Sequence, residues 1–364
     1  MGEPLKVGII GAGSISGQYS ESLARLPQTQ VTAVCDLVPE RAAALAAQHG
    51  ARVISLPELL AADDVDAVLV LTLPATHSEV ALDALAAGKH VYVEKPLALS
   101  VAEGREVVKA AAAAGLRLGC APDTVLGTGL QTARAVVDAG RIGTPHSATA
   151  FMTTPGHERW HHDPEFYYRR GGGPLLDMGP YYLSALIHLL GPVARVVGSS
   201  SRPSGTRTIG QGPRAGTTFD VTVDTHVTAI LEHASGALST LVMSFDTWAA
   251  RLPRIEVYGT AGSLSVPDPN NFDGTVELYP AAGDDRWTDV GVLAGFAGAG
   301  RGYGLADLAR GLAEDRAHRA NGDIALHVLE IMESVLQAAE ARTSITLTTT
   351  CERPDPVVGV PALA

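Results

Sequence analysis

The sequence predicts an α/β chain: an N-terminal doubly wound parallel sheet, then an α+β domain with a large, mainly antiparallel open sheet. Three observations carry this. Over the first 122 residues short apolar runs alternate with alanine-rich helical periods, the pattern of a parallel sheet covered on both faces. A glycine turn, Gly11-Ala12-Gly13, joins the first apolar run to the first helix. From about Pro145 the period changes to longer strands of alternating character.

In chain order, Leu5 to Ile10 is a buried strand entering the glycine turn, and a helical stretch from Gly17 to Leu26 is ended by Pro27. Val31 to Asp36 is a second strand ending in an acid. Pro39 to His49 is a helix closed by Gly50. Arg52 to Ile54 is short and extended, and Leu56 to Ala62 is a small helix. Val65 to Leu71 is an apolar strand running into Thr72-Leu73-Pro74. The helix Ser78 to Ala87, closed by Gly88, leads to Val91-Tyr92-Val93-Glu94-Lys95-Pro96, a strand that stops at a lysine and a proline. The helix Ser100 to Ala114 and the strand Leu116 to Cys120 complete this half, for which we expect residues 1–122.

Gln131 to Ala139 is a further helix. Strands are expected at Ser147 to Met152, Ala194 to Ser199, Asp220 to Leu231, Ala237 to Phe245 and Arg254 to Tyr258. Between the first two lie an irregular loop, Thr153 to Gly173, and a helix around Asp177 to Leu190. Ile324 to Arg342 is a final amphipathic helix. The expected second domain is residues 123–350, and the proline-bearing tail 351–364 reads as extended or loose.

Composition bounds the function. The net charge of −12 disfavours nucleic acid and anionic membranes, which select basic patches. There is neither an apolar run of 18 residues nor a charged-then-apolar leader, so the chain reads as soluble and cytoplasmic. Three cysteines without a CxxC pair make a disulfide framework or a cysteine-rich zinc site improbable.

Gly11-x-Gly13-x-x-Ser16 follows a strand and opens a helix, the context of a Rossmann dinucleotide fingerprint. Gly11 permits the tight turn, and Gly13 lets the backbone approach a pyrophosphate held on the helix N-terminus. The third position is Ser16, small but neither glycine nor alanine. Asp36 ends the second strand, where a carboxylate accepts both ribose hydroxyls and repels a 2′-phosphate. NAD is therefore the expected cofactor, with NADP left open by Arg41 and His49. Expected contacts are Gly11, Gly13, Ser14, Ile15 and Ser16 in the turn, and Asp36, Leu37 and Arg41 beyond it.

Ligands of open α/β sheets bind at the carboxyl ends of the strands. Thr72, Leu73 and Pro74 end one strand, and Glu94, Lys95 and Pro96 end another. His77 reads either as a capping or surface histidine or as a cofactor contact. Lys95 is one of four lysines among 27 basic residues, and a lysine, unlike an arginine, can lose its proton when desolvated.

These residues carry a resemblance. Gly11-Ala12-Gly13, Val31 to Asp36, Val91 to Pro96 and Gly171-Gly172-Gly173-Pro174-Leu175-Leu176-Asp177-Met178-Gly179 are similar to the glucose–fructose oxidoreductase/inositol dehydrogenase/MocA family. The resemblance covers nearly the whole chain. It implies that Lys95 stands beside a substrate hydroxyl and the nicotinamide C4. It also implies that Asp177 faces the substrate. The family's usual Asp-x-Gly-x-His puts a general base four residues on, and here that position is Tyr181. Tyrosine starts near pKa ~10, so a lowered value would be needed for it to act as a base. Lys95 or a loop histidine is the other proton acceptor open to this reading.

Such histidines stand in Gly156-His157-Glu158-Arg159-Trp160-His161-His162-Asp163. This run reads as a sugar-binding loop, as plain loop packing, or, least well, as a metal site. Trp160, His161, His162 and Tyr168 are the expected substrate contacts there, with Asp123 from the end of the first half and Lys95, Asp177 and Tyr181. His188 is expected to be buried against the sheet. Lys95, Asp177 and Tyr181 are the expected catalytic residues, with no metal.

The implied activity is a reversible NAD(P)-dependent dehydrogenation of a secondary hydroxyl of a sugar, glycoside or cyclitol. Two alternatives stand beside it. A glycosidase or eliminase that oxidises its substrate transiently would release sugar without accumulating NADH. A non-catalytic NAD-binding sensor would bind without turnover. The second sheet shows no second helical layer in the sequence, so a homodimer or homotetramer covering it is expected.

Overall fold

The computed structural model describes residues 3–361; the ends of the expected first domain and tail, 1–2 and 362–364, lie outside the described residues. Six parallel strands form the first sheet: β1 (Leu5–Ile10), β2 (Thr29–Cys35), β3 (Arg52–Val53), β4 (Ala67–Val70), β5 (His90–Val93) and β6 (Leu118–Cys120). Their order, β3-β2-β1-β4-β5-β6, reverses direction at β1 and β4. Every residue of β4 is buried, as expected of a strand covered on both faces. The helices α1 (Ser16–Leu23), α2 (Pro39–His49), α3 (Leu56–Ala61), α4 (His77–Ala86) and α5 (Val101–Ala114) connect them. Left-handed glycines end α2 at Gly50 and α5 at Gly115, as the sequence predicted.

After α6 (Thr128–Asp138) the chain enters β7 (Pro145–Thr153), the irregular loop, and α7 (Pro174–Leu190). Then follow β8 (Val193–Ser201), β9 (Thr206–Thr208), β10 (Thr218–Asp220), β11 (His226–His233), β12 (Leu238–Ser244), β13 (Ile255–Gly259), β14 (Gly262–Val266), β15 (Glu277–Pro280) and β16 (Thr288–Asp289). Helices α8 (Tyr303–Ala313) and α9 (Gly322–Ala341) and strand β17 (Ser344–Thr346) close the fold. Nine strands make one sheet, β16-β15-β14-β13-β7-β12-β11-β8-β17. It is antiparallel except where β12 runs parallel to β7.

One expectation is corrected: the single strand expected over Asp220 to Leu231 is broken. Val221 donates to the Gly205 carbonyl, Thr222 to that of Tyr168 and Thr225 to that of Ser201, so this stretch ties three distant segments together. The described part of the tail, 351–361, has neither helix nor strand and lies against the fold. Cys351 and Val357 are buried, and Arg353 donates to the His188 carbonyl while Arg134 donates to that of Pro354.

Helices α7 and α9 cover one face of the large sheet. On the other face the alternation leaves Val197, Ile230 and Leu238 39%, 48% and 49% exposed, with Val197 and Ile230 directly paired across β8 and β11. Helix α9 also binds the first sheet. Glu333 accepts from the Val101 amide, and Leu326 and Leu329 pack where a side chain on Gly104 would stand. Just before α9, the Ala320 carbonyl accepts from Cys120 of β6.

Candidate active site

The turn after β1 is shaped by exclusion. Gly11 has φ +100°, and a Cβ there would lie 2.7 Å from the Leu71 carbonyl carbon and oxygen, so only glycine fits. A Cβ on Gly13 would meet nothing within 4 Å, leaving an open floor at the start of α1. Ser16 earns its place as the third residue of the motif: its hydroxyl donates to the Gly13 carbonyl at 2.7 Å and is buried by doing so. Ser14 is exposed and Ile15 half-buried.

Asp36 joins this turn to the end of β2, accepting from the Ala12 amide at 2.6 Å and the Val38 amide at 2.7 Å. Leu37, fully on the surface, and Arg41, exposed, stand beside it. His49 does not face this edge freely, because its Nε2 meets the Ser20 hydroxyl of α1 at 2.7 Å. An open floor at Gly13, an N-terminal helix start and a carboxylate at the neighbouring strand end fit a dinucleotide without rearrangement.

At the ends of β4 and β5, His77 is buried, so it neither caps a helix at the surface nor meets the cleft. Its Nδ1 lies 2.7 Å from the Pro96 carbonyl and its Nε2 3.1 Å from that of Thr72. Burial pushes its pKa down, against the pull of both carbonyls. His77 thus ties the two strand-end turns together. Leu73 is exposed, while Thr72 and Pro74 are half-buried. Glu94 also turns inward, accepting from the Tyr19 hydroxyl and from the Lys95 amide, each at 2.8 Å. The Lys95–Pro96 and Ala121–Pro122 bonds are cis.

Lys95 reaches across to the first turn of α7. Its Nζ donates to the Asp177 carboxylate at 2.8 Å and to the Asp177 main-chain carbonyl at 2.7 Å. An ammonium has three N–H bonds, so one is left for a ligand. Burial disfavours the Lys95 charge, but Asp177, Tyr181 and Glu94 outweigh it and raise the pKa above the usual lysine value. Burial likewise works against the Asp177 charge, and Lys95 and His157 overcome it, holding the carboxyl well below its ordinary range. Of the proton acceptors left open by the sequence, Lys95 is the one this geometry disfavours: beside Asp177 it is held as an ammonium.

Of the loop histidines, the structure selects His157. Its Nε2 lies 2.9 Å from the second Asp177 oxygen, and the residue is buried, its ring packed against Trp160, Tyr167 and Phe245. A carboxylate only accepts, so the proton sits on Nε2. His161 and His162 stack on each other at 4.9 Å nearer the surface, beside Trp160, which is 54% exposed. Among the described residues no group of three or more His, Cys, Asp and Glu side chains is disposed to hold a metal ion.

Tyr181 is buried one turn beyond Asp177, with Lys95 Nζ 5.3 Å from its ring centre. Its hydroxyl accepts from Arg301 Nη2 at 3.0 Å. Burial pushes the phenol pKa up, and Lys95 and Arg301 do not cancel that effect, so the lowered value a base would need is absent.

Two expected substrate contacts are corrected. Asp123 is completely buried and accepts from the amides of Gly302 and Gly304, securing the start of α8. Tyr168 is also completely buried. Its hydroxyl donates to Glu158 and accepts from the His157 amide, which fixes the loop rather than facing the cleft. His188 is buried as expected, but among Arg134, Arg319 and Arg353, which with burial push its pKa down to about 3.

Two sequence patterns decide the relationship. Residues 5–121 match the oxidoreductase family with an NAD-binding Rossmann fold, and residues 130–265 match the GFO/IDH/MocA C-terminal domain. The chain belongs to the GFO/IDH/MocA family. Residues 5–121 therefore form an NAD-binding Rossmann domain, and the protein is an oxidoreductase. Among its relatives, the 1,5-anhydro-D-fructose reductase of Ensifer adhaerens is 33% identical over 77% of this chain and 81% of its own length. The dTDP-3,4-didehydro-2,6-dideoxy-alpha-D-glucose 3-reductase of Streptomyces violaceoruber is 32% identical over 92% of this chain and 95% of its own. An NAD-binding oxidoreductase from Klebsiella pneumoniae shares the fold at a TM-score of 0.82 and 24% identity, over 96% of this chain and all of that one. Arg301 lies outside both matched stretches of this GFO/IDH/MocA member.

Proposed function

We propose that this protein is an NAD-dependent dehydrogenase of a secondary hydroxyl on a sugar, glycoside or cyclitol, working reversibly. The observation that carries the reading is the charged Lys95–Asp177 pair at the carboxyl end of a dinucleotide-binding sheet. Two relatives named as reductases of sugar derivatives support it. The transient-oxidation hydrolase and the sensor find no support among them.

The bound nicotinamide supplies or accepts the hydride. The chain's own residues handle the oxygen. Lys95, with one N–H uncommitted, donates to the substrate oxygen and stabilises negative charge developing there. Asp177, gripped by Lys95 and His157, keeps lone pairs for a neighbouring hydroxyl and orients the ring. Lys95 is held charged and the His157 Nε2 proton is committed to Asp177. Tyr181, whose own hydrogen has no acceptor among the hydrogen bonds of the described residues, is the proton carrier. Its raised pKa keeps the phenol protonated at neutral pH, ready to donate to a carbonyl oxygen in the reducing direction. The half-exposed Trp160, with His161 and His162, offers a ring face and donors to the distal part of the substrate.

The finer readings follow the same course. The boundary near residue 122 separates the cofactor half from the substrate half, and residues 351–364 form the tail. NAD is preferred over NADP because the Asp36 carboxylate occupies the ribose edge. The open face around Val197, Ile230 and Leu238 packs on a second copy, giving a dimer or tetramer. Three unpaired thiols suit a reducing, cytoplasmic compartment, and among the described residues no helix is long and apolar enough to cross a membrane.

The test is absorbance at the NADH band across cyclitols, monosaccharides, glycosides and their keto derivatives, with both NAD and NADP. Turnover of at least one sugar or cyclitol is expected. Tight NAD binding with no turnover across the panel would reject the reading.

A further inference from the structure

Arg301 is a buried cation that neither matched family pattern covers, and it meets the residue in which this chain departs from the usual family sequence. It leads into α8 from a glycine-rich segment. Gly300 lies where a Cβ would be 2.4 Å from the Ser22 hydroxyl of α1, and Gly302 has φ +102°. Asp123 holds the next turn by accepting from Gly302 and Gly304, and its other oxygen lies 3.7 Å from Arg301 Nη1. The guanidinium donates to Tyr181 Oη at 3.0 Å and to Asn270 Oδ1 at 3.3 Å, and its centre lies 5.2 Å from the Tyr181 ring centre. Arg301 is 8% exposed. Such a cation is costly to bury, and Asp123, which Arg301 does not reach within hydrogen-bond distance, offsets that only in part.

We propose that Arg301 is the positioning residue for proton transfer: by donating to the Tyr181 oxygen it turns the phenol hydrogen toward the substrate, and it holds the charge left there. This rests on the dehydrogenase reading above. In the reducing direction the substrate carbon gains hydride and its C=O π pair moves to oxygen. The Tyr181 O–H bond breaks, the proton passes to that oxygen, and the electron pair stays on the phenol oxygen. There it faces the Arg301 guanidinium, with the Lys95 ammonium over the ring, until solvent returns the proton. Oxidation is the same sequence reversed. A histidine carries its own positive charge after taking a proton, whereas a tyrosine carries a negative one after giving it up. The exchange of histidine for tyrosine thus calls for a fixed cation behind the ring, and Arg301 is that cation. The other charges facing Tyr181 are Glu94 and Asp177, both of which oppose phenolate.

The experiment compares wild type with Arg301→Met, Arg301→Lys and Tyr181→Phe. The pH profile of kcat/KM for oxidation should rise to a plateau set by Tyr181. Arg301→Met should move that limb upward by about one pH unit or more, a tenfold loss at fixed pH below the limb. Arg301→Lys should restore it to within about half a unit, with NAD affinity unchanged throughout. A uniform loss of turnover with the limb unmoved would overturn the proposal. If Arg301→Met loses the wild-type circular dichroism, Arg301→Gln carries the same comparison. The ultraviolet absorbance of the phenolate, titrated in wild type minus Tyr181→Phe, reads the same group without any substrate. A shift there with Arg301→Met or Arg301→Gln upholds the proposal even if every sugar fails. An unchanged titration sinks it even if sugars turn over.

Discussion

The Lys95 ammonium grips Asp177 twice, at the carboxylate and at the main-chain carbonyl of the same residue. The double contact fixes the lysine's direction as well as its charge. It joins a strand end of the first sheet to the first turn of α7, so the site forms only where the two halves of the chain meet.

Lys95→Met should lower turnover by about 100-fold or more, because it removes the donor that stabilises charge on the substrate oxygen. It should also destabilise the fold by about 3 kcal/mol, the low end for a broken buried pair, since both side chains keep some exposure. Lys95→Arg should not restore turnover, since a planar guanidinium cannot keep both Asp177 contacts and spare an N–H in the same place. Steady-state kinetics and urea unfolding check both statements.

The same pair sets a pH window for stability. Asp177 has a lowered pKa, so its contribution is complete above the unfolded value of about 3.9 and is lost as pH falls through the folded value below that. Lys95 has a raised pKa, so its contribution is complete below about 10.4 and is lost as pH rises through the higher folded value. The stability gap between wild type and Lys95→Met/Asp177→Asn should therefore be flat from about pH 5 to pH 9 and shrink outside both limits. A gap that grows toward either extreme in urea titrations would contradict the ion pair.

Asp36→Ser with Leu37→Arg should reverse cofactor choice. The change removes the carboxylate at the ribose edge and puts a cation at a fully exposed neighbour. The ratio of kcat/KM for NADP over NAD should rise by about tenfold or more, as expected for a 1.4 kcal/mol change. Asp36 also ties Ala12 to Val38, so some loss of overall affinity is expected, read by fluorescence titration.

Ile230→Glu should convert the proposed assembly to monomers. Ile230 stands directly across from Val197 on the uncovered face, and its side chain makes no part of the core beneath α7 and α9. Light scattering after size exclusion should show a halved or quartered mass with unchanged circular dichroism. A wild-type monomer at micromolar concentration would refute the packing.

Much of this was legible in the sequence because it is local. The glycine turn, Asp36 and the Glu94-Lys95-Pro96 strand end are each set by a few adjacent residues with steric or chemical demands of their own. Asp177 and Tyr181 share a helix and a spacing. What was not legible depends on distant encounters. Nothing local separates His157 from His161 and His162; only the Tyr168 hydroxyl holding the His157 amide, and the arrival of Asp177, make the choice. Asp123 has the sequence position of a site acid, but the amides it meets at the start of α8 lie 179 and 181 residues further on. Arg301 sits among glycines with no periodicity to mark it, and α8, though amphipathic through Leu305, Leu308 and Leu312, follows that glycine-rich run without a capping side chain to announce it. Whether Lys95 keeps its proton stayed open in the sequence because the distance to Asp177 is not written there.

Helix α9 has a consequence for how the chain can be cut. It accepts the Val101 amide through Glu333 and fills the space over Gly104, and the residue just before it completes the edge of β6. A fragment ending near residue 122 would therefore bare a strand edge and an apolar helix flank at once, an invitation to self-association. The nucleotide-binding half is not a portable module: to be expressed alone it would need a surrogate for α9, or new polar residues along α5.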